Sequence, residues 1–287
     1  RAVVYFLVWT VLAYLFYCWS TARDRSSEIA VRDRLTRRML VLSAPGVILF
    51  ALSLTFQAVD WEKSLSPHWF STMWGVYYFA GALFAAYSMT ALIALGLQRA
   101  GMLKNAITAE HYHDIGKLMF GFTIFWAYIG FAQFMLQWYA NMPEETAFWM
   151  HRIHGGWENV SYALPVIHFF VPFLMILSRH VKRNRMGIAI CAVYFLINHA
   201  IDHYWMVLPN FTGAEHVANM AKAEAENAAN GAATEVVSQL APSIVDLFAL
   251  VGVGGVFLLV FGFFLNRNKV VAIGEPRLAE SLVHENY

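Results

Sequence analysis

The sequence is 287 residues long, 59% hydrophobic and only 14% charged, with a mean hydropathy of +0.49 and a formal net charge of +1. A soluble domain has about a quarter of its residues charged, so these proportions exclude a water-soluble enzyme and indicate an integral membrane protein. A helix crossing the hydrocarbon core needs roughly 20 mostly apolar residues and satisfies its backbone hydrogen bonds internally.

Seven runs meet that requirement: Ala2 to Trp19, Met39 to Val59, Trp69 to Leu97, Gly116 to Ala140, Val160 to Ser178, Gly187 to Val207 and Ile244 to Leu265. They lack strand alternation, so the expected fold is all-α: a polytopic membrane protein with seven transmembrane helices packed as helical bundles. The third run is longer than a span requires and is expected to tilt or project from the bilayer. Pro165 and Pro172 interrupt the fifth and invite a kink. The spacing of Gly81 and Ala85 in the third marks a close helix approach. Because the chain enters a span directly after Arg1, further residues are expected upstream.

The connections differ sharply in charge. Arg23, Arg25, Arg32, Arg34, Arg37 and Arg38 follow span one. Arg99, Lys104 and Lys117 follow span three, Arg179, Lys182, Arg183 and Arg185 span five, and Arg267, Lys269 and Arg277 span seven. This leaves only Arg1, Lys63, Arg152 and Lys222 on the opposite side. The positive-inside rule puts the basic side, the tail 266–287 included, in the cytoplasm of a multi-pass protein of the bacterial inner membrane. The basic clusters are expected to contact lipid head groups, not nucleic acid. Residues 1–265 form the membrane region, within which Leu208 to Ser243, rich in Ala, Glu and Asn, is expected to form a periplasmic surface helix with a break near Gly231, either a solvated linker or a platform for a partner outside the membrane. Cys18 and Cys191 lie in different spans, which argues against a disulfide framework, a thiolate zinc site or an iron-sulfur cluster in this chain.

The chemistry-bearing residues lie where polarity is expensive. In "FLINHAIDHYWMV", Phe195 to Val207, the residues Asn198, His199, Asp202 and His203 fall within an arc of about 140° on a helix. Such a stripe must face protein or water, because ionisable groups cost several kcal/mol in lipid. Span five starts with Glu158 and carries His168 at mid-depth, with Glu158, Tyr162, Pro165, Phe169 and Pro172 on one face. Gln133 and Gln137 are one turn apart in span four, Gln57 and Asp60 close span two, and "EHYHDIGK" puts Asp114 at the inner mouth of span four. His199 and His203 at i, i+4 have the spacing of a chelate, and His168 with His199 the residue types of a haem pair. Without further ligands on the same span neither is expected, so no metal or haem is assigned to this chain. Nothing resembles an activated nucleophile or a phosphate-cradling loop. The candidates for a proton path or quinone contact are Asp60, His68, Asp114, Gln133, Glu158, His168, Asn198, His199, Asp202 and His203, with no catalytic residue assigned.

Three stretches carry a resemblance: "AVDWEKSLSPHWFSTMWGVYYFAGA" (Ala58 to Ala82), "HYHDIGKLMFGFTIFWAYIGFAQFMLQWYANMPEE" (His111 to Glu145) and the tail "EPRLAESLVHENY". Together they resemble the polysulphide-reductase or NrfD-like membrane subunits of bacterial alternative complex III, a quinol:cytochrome c oxidoreductase, over nearly the whole chain. The resemblance implies a four-helix-bundle membrane subunit in a respiratory electron-transport complex. Its partners would be a sister NrfD-like subunit, an iron-sulfur subunit and cytochrome c subunits, which hold the haem c and the clusters. Quinol-oxidising relatives tend to have a carboxylate where this chain has Gln133, and an amide cannot accept the quinol proton. The expected role is therefore structural and proton-conducting beside a quinol-oxidising sister. The alternatives are a chain that itself binds and oxidises quinone or menaquinone, or a secondary transporter, for which inverted repeats are missing.

Overall fold

The computed structural model describes residues 1–103, 106–153, 157–210 and 244–285. Every regular element among them is helical, and seven helical stretches, the fifth a composite over Glu158–Leu177, are long and apolar enough to cross a membrane. The seven-helix expectation holds. In chain order the helices are α1 (Ala2–Arg25), α2 (Ile29–Trp61), α3 (Trp74–Arg99), α4 (Ala109–Ala140), α5 (Pro143–Ile153), α6 (Glu158–Pro165), α7 (Val171–Leu177), α8 (Arg179–Arg183), α9 (Arg185–Val207), α10 (Ile244–Arg267) and α11 (Leu278–Leu282). Lys104, Lys222 and Gly231, with most of the expected surface segment, lie outside the described residues.

Three elements differ from the sequence expectation. Span three begins at Trp74, not Trp69, because the indole of Trp69 turns inward to stack on Phe148 at 3.8 Å and the Ser71 hydroxyl accepts from the Met73 N–H. The helix still has 26 residues, more than the roughly 20 a span requires. Span five stays one helical stretch but changes register: α6 and α7 flank a π-helical turn over Val166–Phe170. Pro165 and Pro172 lack the N–H groups that would close the regular ladder, and the wider turn relieves the mismatch. The face expected to unite Glu158, Tyr162, Pro165, Phe169 and Pro172 is lost with it, for Tyr162 is exposed while Pro172 is buried. Finally, α5 is an amphipathic helix between spans four and five that apolar run length alone does not reveal, since it holds Glu144, Glu145, His151 and Arg152.

The chain divides into two compact units, residues 1–53, 96–110 and 241–287 in one and 54–95 and 111–240 in the other. In the first, the Trp9 indole donates to the Ser53 hydroxyl at 2.9 Å and Tyr17 donates to the Asn268 side chain at 3.0 Å. Arg23 pairs with Glu275 at 2.6 Å, and Asp24 accepts from the N–H of Gly274, whose missing Cβ would otherwise press on the Arg23 carbonyl at 2.9 Å. The segment after span one and the C-terminal tail thus sit at the same end of this unit.

The second unit contains an aromatic core of Trp69, Trp74, Tyr77, Trp126, Phe148, Trp157 and Trp205. At one end, the connection after span two, helix α5 and the end of α9 meet. Ser66 donates to Asn210, the Arg152 guanidinium donates to the Met206 carbonyl at 2.8 Å and to Asn210 at 3.4 Å, and the Trp69 and Trp149 indoles both donate to Gln137. Lys182 marks the other end, its stem lying against Gly116 at the start of α4. Alternate connections therefore gather at opposite ends of this unit, as a chain threading a bilayer requires.

Candidate functional site

The site is built on α9, where the stripe faces protein. Asn198 and Asp202 are buried, and His199 and His203 partly so. Asp202 Oδ1 accepts from the Tyr77 hydroxyl of α3 at 2.6 Å, and Oδ2 from the Trp126 indole of α4 at 3.0 Å. One carboxylate thus ties three spans together through two aromatic donors, and its ring partners fill the apolar surroundings. Gly130 on α4 makes this possible, since a Cβ there would stand 3.1 Å from the Tyr77 ring.

One turn along α9, His203 Nδ1 lies 3.2 Å from Glu62 Oε1, and His203 Nε2 lies 3.1 Å from His199 Nε2. Glu62 follows the last residue of α2, so the line starts at the end where connections two, four and six meet and runs inward. The tautomers follow from the partners. A Glu62 carboxylate accepts from His203 Nδ1–H; neutral His203 then has a bare Nε2, which accepts from His199 Nε2–H and leaves a lone pair on His199 Nδ1. That nitrogen is buried with no hydrogen-bond partner among the described residues. Gly81 provides its seat: a Cβ at residue 81 would stand 2.9 Å from His199 Cε1. The small-residue spacing read from the sequence thus accommodates an imidazole.

His168 closes the inner end. The π-helical turn directs it into the bundle, where it is fully buried between Trp126, at 3.9 Å, and Phe84, at 4.8 Å. Both of its ring nitrogens are without a hydrogen-bond partner among the described residues, as is Asn198 Nδ2. The ligand atoms of His168, His199 and Asp202 all lie within 4.8 Å of one another. An unsatisfied buried polar atom costs about 1–3 kcal/mol, so so many around one point make a place suited to a proton, a water or a cation.

Of the residues singled out in the sequence, His168, Asn198, His199, Asp202 and His203 belong to this region, and the others are held elsewhere. Gln133 accepts from the Ser71 hydroxyl at 2.7 Å and fastens the connection before span three to α4. Asp114 pairs with Lys117 at 2.7 Å on a partly exposed helix turn, where such a pair contributes little. His68 is exposed, Asp60 is half-buried at the end of α2, and Glu158, also half-buried, opens α6. The carboxylate that joins the histidines is Glu62, which sequence reasoning passes over in favour of Asp60 and Glu158, and Tyr77 and Trp126 are not among the sequence candidates. The signal for the latter two is chemical: a buried Asp202 requires donors, and a hydroxyl or indole N–H at mid-span requires an acceptor.

No protein-family model matches the sequence, and none of the curated proteins matches it either. The chemistry of the site and the motifs of the chain are therefore what a functional reading rests on.

Proposed function

We propose that the chain is an integral membrane subunit of a respiratory quinol:electron-acceptor oxidoreductase of the alternative complex III type. In this reading it sits in the bacterial cytoplasmic membrane with its C-terminus in the cytoplasm and conducts protons beside a sister subunit that oxidises quinol. The three long motifs that resemble the NrfD-like subunits support the choice of complex. One observation carries the role: the line Glu62, His203, His199, ending beside Asp202 and His168 within an apolar bundle.

The chemistry suits proton transfer. A proton arriving at His199 Nδ1 makes that ring a cation, whose Nε2 proton passes to His203 while His203 releases its Nδ1 proton to Glu62. Each hop leaves the rings in the opposite tautomer, and rotation or return of a proton resets them. No side chain has to move by more than a hydrogen-bond length. Haem c and iron-sulfur clusters belong to partner chains in this reading, and the apolar faces of α1 and α10 meet lipid or those partners.

The test is Asp202→Asn in the intact assembly. The amide keeps the size of the carboxylate, so the complex is expected to assemble, while proton release on quinol oxidation in sealed vesicles is expected to fall. Unchanged turnover with unchanged proton release would reduce the stripe to interhelical packing.

A further inference from the structure

We infer that His168, His199 and Asp202 form a binding site for a divalent transition-metal ion of the zinc type, reached from the end of the bundle that carries Glu62. This departs from the expectation, drawn from the spacing of His199 and His203, the pairing of His168 with His199 and the separated cysteines, that the chain holds no metal.

Three observations converge. The first is the donor set: two imidazoles and one carboxylate from two spans, with ligand atoms within 4.8 Å of one another. A zinc ion with ligand bonds of about 2.0–2.2 Å brings such atoms to roughly 3.4 Å in a tetrahedron, so binding draws the three ligands closer together. Two nitrogens and an oxygen suit zinc and its neighbours in the transition series better than calcium or magnesium, which prefer all-oxygen shells.

The second is that the imidazole donors are unspent. Both ring nitrogens of His168, a fully buried side chain, and Nδ1 of His199 have no hydrogen-bond partner among the described residues. The i, i+4 pair of the sequence does not chelate, because His203 uses its Nε2 on His199 and its Nδ1 on Glu62.

The third is the outer shell. Metal-bound histidines commonly donate their other N–H to an acceptor backed by a carboxylate, and metal-bound carboxylates are themselves hydrogen-bonded. Here His199 Nε2 faces His203, which is backed by Glu62, and Asp202 receives Tyr77 and Trp126. This leaves His199 with a free lone pair on Nδ1 that a metal can take. The His203 side chain is 33% exposed, so the line of groups leading inward opens at its outer end. Tyr77, Trp126, His203 and Glu62 orient the ligands; a water takes the fourth position. A bound cation uses the His199 lone pair that the proposed proton line needs, so occupancy and proton passage exclude each other. Only that last consequence depends on the proposed function; the binding site does not.

The experiment measures zinc directly on the full chain with whatever subunits accompany it. Equilibrium dialysis against buffered Zn2+ is followed by elemental analysis, for the wild type, His168→Phe and His68→Gln. Phenylalanine keeps the stack between Trp126 and Phe84 but removes both nitrogens, while His68 lies outside the site. The expected result is a zinc-binding step whose affinity falls at least about 10-fold in His168→Phe and is unchanged in His68→Gln. Equal affinity in wild type and His168→Phe, or no step, overturns the proposal and leaves water as the occupant. If His168→Phe does not assemble, zinc-edge X-ray absorption on the loaded wild type decides: two imidazoles in the first shell support the site, and fewer overturn it. Zinc that binds without altering proton release sinks the proposed proton line and leaves the metal site standing.

Discussion

The Nε2 atoms of His199 and His203 lie 3.1 Å apart, one helical turn from each other on α9. Only one of the two carries the hydrogen between them, so the protonation state of each ring dictates that of the other. Because Glu62 accepts from the far nitrogen of His203, a carboxylate at the rim of the bundle sets the tautomer of an imidazole deep inside it.

Glu62→Gln is expected to break that control. The glutamine can present its NH2 group or its oxygen to His203, so neither tautomer is enforced and no anion draws the proton outward. Proton release by the assembly is expected to slow by about 100-fold or more, the low end of what a positioned acid-base group contributes. Wild-type proton release in sealed vesicles of the variant would end this account of Glu62.

Gly81 and Gly121 predict opposite outcomes for similar changes. A Cβ at residue 81 meets the His199 ring at 2.9 Å, whereas one at residue 121 meets nothing within 4 Å. Gly81→Ala therefore has to displace a rigid ring and is expected to destabilise the protein and slow proton release. Gly121→Ala is expected to stabilise by about 0.5–1 kcal/mol through reduced backbone entropy of the unfolded chain. Thermal unfolding in detergent, run on both variants, checks the contrast.

Arg152 is fully buried yet donates to carbonyls, at 2.9 Å to Phe148 and 2.8 Å to Met206, and lies 3.5 Å over the Phe148 ring. Burial lowers its pKa from the usual range to about 9, which still leaves it charged at neutral pH. Arg152→Lys keeps charge but cannot fork between two carbonyls. It is expected to lower stability by about 2–3 kcal/mol, the scale of losing a charged hydrogen bond in a buried place. A melting temperature equal to the wild type would show that the fork is dispensable.

His151, next to it on α5, is pushed below its usual range first by burial and then by the Arg152 charge. The unfolded chain therefore binds the proton more readily than the folded one. The stability contributed by neutral His151 is fully present above an ordinary histidine pKa of about 6.5 and is lost as pH falls from there toward the lowered folded value. Amide exchange in α5 is expected to be faster relative to the intrinsic rate at pH 5.5 than at pH 7.5, and His151→Asn is expected to shrink that difference.

Arg23, paired with Glu275, holds the tail against the segment after span one. By the charge asymmetry of the connections, cysteines placed at Ser27 and Ser64, both exposed, are expected to label from opposite faces of the membrane. An impermeant maleimide added outside should reach residue 64 and spare residue 27. Equal labelling of both would overturn the threading.

The sequence by itself determined the seven membrane helices, because length and apolarity suffice when every backbone hydrogen bond must close within its own segment. It also marked Asn198, His199, Asp202 and His203 as facing inward, since a polar arc cannot face lipid. Helix starts were less legible where a side chain overrode composition: Trp69 is as apolar as any span residue, but its ring leaves the helix for a stack on Phe148. Only the tertiary structure decided which residues complete the stripe. Glu62 lies far along the chain from His203, and its neighbour Asp60 has the same chemistry, so no local pattern distinguishes them. Likewise Tyr77, Trp126 and Gly81 become partners of Asp202 and His199 only once α3 and α4 pack on α9. A π-helical turn between two prolines then brings His168 to the same point, a rotation that one-dimensional spacing cannot express because it depends on how the backbone resolves two missing donors.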